Sequence, residues 1–296
     1  MASPELATVI QILRSNPPLG GDTIEEMRAS MDGLTANFAR PEDVRYEPVD
    51  AGGAPGEWTT APESESDRVA VYLHGGGYAI GSIQSHRPLV TQLARDARAR
   101  VLSIDYRLGP EHPHPAAVED ACNAFRFAVD SGVAPERIAI AGDSAGGGLT
   151  GAALIALRDA GGDTPAAGVC ISPWFDLTLS GDSMKTKGDA DPLVSEDKLA
   201  VMAAAYVADG DPKAPTASPL FADLSGLPPM LLQVGTAETL LDDSTRFAER
   251  AKTAGVEVDL EIWDDMIHVW HAFGPLLPEA GEAITKIGSW LQTKIR

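Results

Sequence analysis

Four short stretches of this 296-residue chain carry residue types and spacings that could do chemistry. The first is Gly142-Asp143-Ser144-Ala145-Gly146, which follows the strand-like run Ile138-Ala139-Ile140-Ala141 and precedes a helical stretch beginning near Gly147. A serine on a sharp strand-to-helix turn stands exposed at the carboxyl end of its strand, and flanking glycines allow a close backbone approach where side chains would clash. Ser144 is therefore the candidate nucleophile, with Asp143 read as a residue that stabilises the turn. A phosphate-binding loop is the competing reading, but no Gly-Lys-Ser/Thr follows that could hold a triphosphate.

The second stretch is His74-Gly75-Gly76-Gly77-Tyr78, directly after the apolar run at 69–73. Consecutive glycines bare their backbone N–H groups, which can point at an oxygen that becomes negative when a carbonyl is attacked. Each such donor lowers the barrier by roughly 3 kcal/mol in comparable sites. The expected oxyanion site comprises Gly75, Gly76, Gly77 and Ala145, with the N–H groups of Gly76, Gly77 and Ala145 facing the oxygen. His74 ends a strand and is read as ordering the loop.

A nucleophilic serine needs a base, and the base needs an orienting carboxylate. When the nucleophile sits on such a turn, the chain order is serine, acid, histidine. Glu238 follows the apolar run at 230–235 and is the expected acid. Asp242 and Asp243 come one turn later, where a helix dipole by itself favours carboxylates, and Asp242 is the alternative. His268, in Asp264-Asp265-Met266-Ile267-His268, is the expected base, with His271 the weaker candidate. His86, His112 and His114 read as surface or structural. No cluster of Cys, His and carboxylates has ligand spacing, so neither a metal nor a cofactor is expected. Cys122 and Cys170 read as small buried hydrophobes.

The elements that must position these residues come from periodicity. Apolar runs at 44–48, 57–60, 69–73, 101–105, 138–141, 167–171, 230–235 and 257–263 read as strands. Helical patterns at 86–98, 115–130, 145–159, 240–254 and 279–294 are long enough to cross between parallel strands. The expected architecture is α/β, a mostly parallel sheet flanked by helices, with an antiparallel edge where early strands lack helices between them. Residues 1–40 resemble a pair of amphipathic helices, and 176–225 is a polar, proline-dotted excursion. Both are expected to form a lid, because a compact core has no use for long excursions. The expected division is cap helices at 1–43 and a catalytic domain at 44–296, with 176–215 contributing to the cap.

Composition narrows the partners. With 44% hydrophobic and 22% charged residues the chain should fold around a real core. Its net charge of −20 argues against nucleic acid or an anionic membrane and favours a neutral small molecule. The first twenty residues lack a basic region and a cleavage site, and no run approaches the ~18 apolar residues of a membrane span. A cytoplasmic protein is expected.

Taken together, these motifs resemble those of the bacterial hormone-sensitive-lipase-like esterases, family IV, of the α/β-hydrolase superfamily. His74-Gly75-Gly76-Gly77 is similar to their oxyanion motif, Gly142-Asp143-Ser144-Ala145-Gly146-Gly147 to their nucleophile turn and Met266-Ile267-His268 to their histidine segment. Asp105-Tyr106-Arg107-Leu108-Gly109-Pro110-Glu111 is similar to a further signature. The resemblance implies an eight-stranded α/β-hydrolase sheet with a helical cap and hydrolysis of short- to medium-chain acyl esters of small molecules. It also implies a homodimer through the strand near 257–263. Most of the family places Asp where this chain has Glu238, and Gly109 and His114 replace the more usual Ala and aromatic. An amidase or formamidase using the same residues is the alternative reaction. A non-catalytic small-molecule receptor is the alternative class, and it would be expected to lack the base.

Overall fold

Short β-branched and alanine-rich runs build one eight-stranded sheet in the order β1-β2-β4-β3-β5-β6-β7-β8. The strands are β1 (Arg45–Asp50), β2 (Pro55–Thr60), β3 (Glu65–Leu73), β4 (Ala99–Ile104), β5 (Ile138–Asp143), β6 (Ala167–Ile171), β7 (Met230–Gly235) and β8 (Val258–Trp263). The computed structural model describes residues 2–17, 20, 21, 23–35, 40–274 and 276–296. β1 pairs antiparallel with β2, and β2 with β4; every other pairing is parallel. The expected fold class is borne out, including the antiparallel edge at the N-terminal side.

The helices are α1 (Pro4–Ser15), α2 (Ile24–Thr35), α3 (Ile83–Asp96), α4 (Ala116–Asp130), α5 (Ala145–Ala160), α6 (Ser183–Thr186), α7 (Glu196–Val207), α8 (Leu241–Thr253) and α9 (Pro278–Lys294). The sheet's period of two divides the core between its faces. Val71, Leu102, Ile140 and Leu232 face one layer with Phe125 of α4, Leu149 of α5 and Phe247 of α8. Tyr72, Val101, Ala139 and Leu231 face the other, with Leu89 and Leu93 of α3 and Ile287 and Leu291 of α9. Each of the Val, Leu, Ile and Phe side chains among these contributes about 2 kcal/mol on burial. Strands buried on both faces cannot alternate in polarity, which is why they read as continuous apolar runs.

Element boundaries shift where caps decide them. α3 begins at Ile83, three residues before the helical pattern expected at 86–98, because Ser82 and Ser85 form a capping box there. The pair of helices expected in residues 1–40 corresponds to α1 and α2; positions 1, 18, 19, 22 and 36–39 lie outside the described residues. In the 176–225 excursion the chain forms α6 and α7. Among the described residues, no helix is long and apolar enough to cross a membrane.

The sheet order determines where a site can form. The connections from β3 to β4 and from β4 to β5 leave β3 beside β5, with Leu73 opposite Gly142. Parallel sheets place ligands at the carboxyl ends of strands where the order reverses. The glycine run ends β3 and the serine turn ends β5 at that edge.

Candidate active site

The turn after β5 has the strained geometry its residues anticipate. Ser144 takes φ 53° and ψ −119°, outside the regions that L-residues favour. Its N–H donates to the Ile171 carbonyl at 2.8 Å, and its carbonyl accepts from Gly148 and Trp174. A Cβ at Gly142 would overlap the Gly146 carbonyl, and one at Gly146 would overlap that of Leu73. Only glycine at both positions lets β3, β5 and α5 come this close.

His268 lies beyond β8 and Glu238 beyond β7, and the sheet brings both to Ser144. His268 Nε2 lies 3.0 Å from Ser144 Oγ, and Nδ1 lies 2.8 Å from Glu238 Oε2. Glu238 is fully buried, and its Oε1 accepts from Gly235 N–H at 2.6 Å and Ser172 O–H at 2.9 Å. Burial works against the imidazolium of His268. The hydrogen bond and charge of Glu238 outweigh it, with Asp191 and Asp143 assisting, so the His268 pKa rises above 6.5.

The alternatives are engaged elsewhere. Asp242 Oδ2 accepts from Ser183 N–H at 2.8 Å, tying α8 to α6. His271 is buried with Nε2 against Gln233 Oε1 at 2.7 Å, and burial drives its pKa down to about 3, so it stays neutral. His86 is buried and pairs with Asp143 Oδ2 at 3.3 Å; His114 meets the Thr216 hydroxyl at 2.9 Å, and His112 is exposed. Both cysteines are buried and free.

The glycine loop is braced from behind. Asp143 Oδ1 accepts from Tyr72 O–H at 2.7 Å and from Gly75 N–H at 3.0 Å. Burial opposes its charge, but His86 beside it prevails and lowers the Asp143 pKa. The N–H of Gly75 is thus spent on the brace, whereas those of Gly76 and Gly77 bond to no other described residue. Ala145 opens α5, where N–H groups have no partner within the helix. His74 stacks on Tyr106 at 4.3 Å, and its carbonyl accepts the Tyr106 hydroxyl at 2.7 Å. Burial takes the His74 pKa down to about 3, leaving a neutral ring in a bracing position.

Ser144, His268, Gly76 and Gly77 open into a cavity of about 200 Å³. Apart from Ser85, His86 and Asp143 its other walls are apolar and come from several elements, among them Val9 and Leu13 of α1, Leu199 and Met202 of α7, and Phe273. Among the described residues, no group of three or more His, Cys, Asp or Glu is arranged to hold a metal ion.

Two contributors escape sequence reasoning. Ser172 accepts Val269 N–H at 3.1 Å while donating to Glu238, so it links Glu238 to the turn that carries His268. A polar residue at the carboxyl end of an apolar strand was its only signal. Asp191 accepts from Leu193 and Val194 through Oδ1 and from Thr239 through Oδ2, joining the excursion to the residue after Glu238. Nothing in its local sequence marks it.

A family model described as the α/β-hydrolase fold matches residues 70–272. The chain is 45% identical to an acetyl-hydrolase of Streptomyces hygroscopicus, with 99% of this chain and 98% of that protein covered. It is 35% identical to an esterase of Acinetobacter venetianus over 89% of this chain and 87% of that one. The crystal structure of an esterase from the bacterial hormone-sensitive lipase family matches with a TM-score of 0.97 at 48% identity, both chains covered in full. The chain belongs to the α/β-hydrolase fold family. Within it, the chain falls among the bacterial hormone-sensitive-lipase-like esterases, enzymes that hydrolyse carboxylic esters.

Proposed function

We propose that this chain hydrolyses short- to medium-chain acyl esters of small molecules through a Ser144–His268–Glu238 triad and an acyl-enzyme. The observation that carries the reading is the unbroken relay from Glu238 Oε2 to His268 and on to Ser144 Oγ, opening into an apolar cavity. Glu238 holds the imidazole with its proton on Nδ1, so Nε2 is free to take the Ser144 proton as Oγ attacks the carbonyl. The tetrahedral oxyanion is stabilised by the N–H groups of Gly76, Gly77 and Ala145. His268 then protonates the leaving alcohol, and water enters by the same base to release the acid and restore Ser144.

The helices within 1–43 and the 176–215 segment act as a cap. Val9, Leu13, Leu199 and Met202 support this, because they line the cavity that Ser144 opens into. Apolar walls suit an uncharged acyl chain, and the acetyl-hydrolase among the relatives points to small acyl groups. The test is a series of p-nitrophenyl esters from two to sixteen acyl carbons beside matching anilides. The reading expects turnover of the shorter esters and little on anilides. Faster cleavage of the anilides would replace it with an amidase.

A further inference from the structure

The loop that carries Gly76 and Gly77 is held from outside the sheet by two other helices. Tyr78, directly after the glycines, is buried and adopts the left-handed region at φ 61°. A bulky residue persists there only when its surroundings hold it. Its ring stacks face to face on Tyr206 of α7, with centroids 3.9 Å apart and planes 6° from parallel. One turn earlier on α7, Met202 packs so closely on Gly77 that any Cβ there would overlap its sulfur.

The Tyr206 ring is fully buried, yet its hydroxyl has no hydrogen-bond partner among the described residues. Whatever the Tyr206 side chain contributes therefore comes from the ring, its backbone carbonyl being occupied by His114 N–H at 2.7 Å. Arg28 of α2 reaches the same loop: Nε donates to the Ala79 carbonyl at 2.8 Å and Nη2 to the Gly109 carbonyl at 3.0 Å. Gly109 N–H in turn donates to the Tyr78 carbonyl at 2.8 Å. Glu111 holds the guanidinium through both of its oxygens at 2.8 Å. Neither Tyr206 nor Arg28 lines the cavity.

We propose that α2 and α7 position the oxyanion donors, the Tyr206 ring seated on Tyr78 and the Arg28 guanidinium on the Ala79 carbonyl. Tyr206 and Arg28 are then positioning residues of the reaction, acting through the backbone of residues 76–79. The inference rests on the reading of Ser144 as nucleophile with Gly76 and Gly77 as its oxyanion donors. Donors displaced by a fraction of an ångström lose transition-state binding while the acyl pocket stays intact, so turnover falls and KM does not.

The experiment compares Tyr206→Leu, Tyr206→Phe and Arg28→Lys on p-nitrophenyl butyrate, with the affinity for an alkyl trifluoromethyl ketone measured alongside. Tyr206→Leu is expected to lower kcat roughly tenfold to a hundredfold with KM changed less than about threefold. The ketone, whose adduct carries the oxyanion, should weaken by the same factor as kcat/KM, and Tyr206→Phe should restore all three quantities. Arg28 is partly exposed, so Arg28→Lys should fold and show the same kcat-against-KM split if Tyr206→Leu does not yield folded protein. Unchanged kcat in Tyr206→Leu and Arg28→Lys, a loss carried by KM, or Tyr206→Phe as damaging as Tyr206→Leu overturns the proposal. Fluorophosphonate labelling of the wild type separates the two readings. An unlabelled Ser144 sinks the nucleophile assignment itself, whereas a labelled wild type with unaffected variants sinks only the positioning role.

Discussion

Replacing Glu238 by glutamine keeps the shape of the side chain and removes its charge, and the surroundings dictate how the amide must sit. Oε1 receives two donors, Gly235 N–H at 2.6 Å and Ser172 O–H at 2.9 Å, so an oxygen has to stay there. The Ser172 hydroxyl cannot easily turn round, because its oxygen already accepts Val269 N–H. The new NH₂ therefore faces His268 Nδ1, where only a lone pair can meet it. The imidazole proton moves to Nε2 and points at Ser144, the tautomer that cannot take up a proton. A second loss is electrostatic. Two unit charges about 4 Å apart at an effective dielectric of about 20 interact by roughly 4 kcal/mol. At about 1.4 kcal/mol per decade this is near a thousandfold in rate. Adding the tautomer, Glu238→Gln should lower kcat by roughly 10⁴, as the matching change does in Ser-His-Asp proteases. KM should stay nearly constant, since Glu238 does not line the cavity. The assay is steady-state hydrolysis of p-nitrophenyl butyrate with Asp242→Asn as the control, which should lose less than about tenfold because Asp242 binds Ser183. A Glu238→Gln enzyme within tenfold of the wild type, or an equal loss in Asp242→Asn, refutes the assignment of the acid.

Ser144→Ala should lose on the order of 10⁶ in kcat and all fluorophosphonate labelling; residual labelling would point to another nucleophile. The base works only when neutral and the His268 pKa is raised, so kcat/KM should climb with pH through a midpoint above 6.5. An acid limb that is flat or centred below 6.5 contradicts that role for His268. Ser172→Ala removes the link between Glu238 and Val269, so it should cost about 1–3 kcal/mol in a denaturant titration and about tenfold in kcat. A change in neither would leave Ser172 without a role. Asp143→Asn disturbs a buried carboxylate that accepts from Tyr72 and Gly75 and pairs with His86. It should destabilise the fold by about 3 kcal/mol while Ser144 can still be labelled, and an unmoved unfolding midpoint would contradict the bracing role.

What could be read from residues alone was governed by short-range physics. The turn at 142–146 is legible because its constraints, a positive φ at Ser144 and close approach at Gly142 and Gly146, are satisfied within five consecutive positions. The central strands are legible because burial on both faces demands unbroken apolar runs, whereas boundaries moved where a cap started α3 early and where β3 runs back through the polar, partly exposed residues 65–68. The choice between His268 and His271, or Glu238 and Asp242, could be ranked but not decided in this way. It depends on how the turns after β7 and β8 are aimed at a serine 124 residues before His268. Val269, in the left-handed region at φ 47°, lies between His268, which faces Ser144, and His271, which faces Gln233, an arrangement that no local pattern encodes. Ser172, Asp191 and Tyr206 belong wholly to the tertiary structure. The partners that give them their roles, Glu238, Thr239 and Tyr78, sit on turns and loops far away in the chain, and a hydrogen bond or ring stack across the fold leaves no periodicity in the chain that makes it.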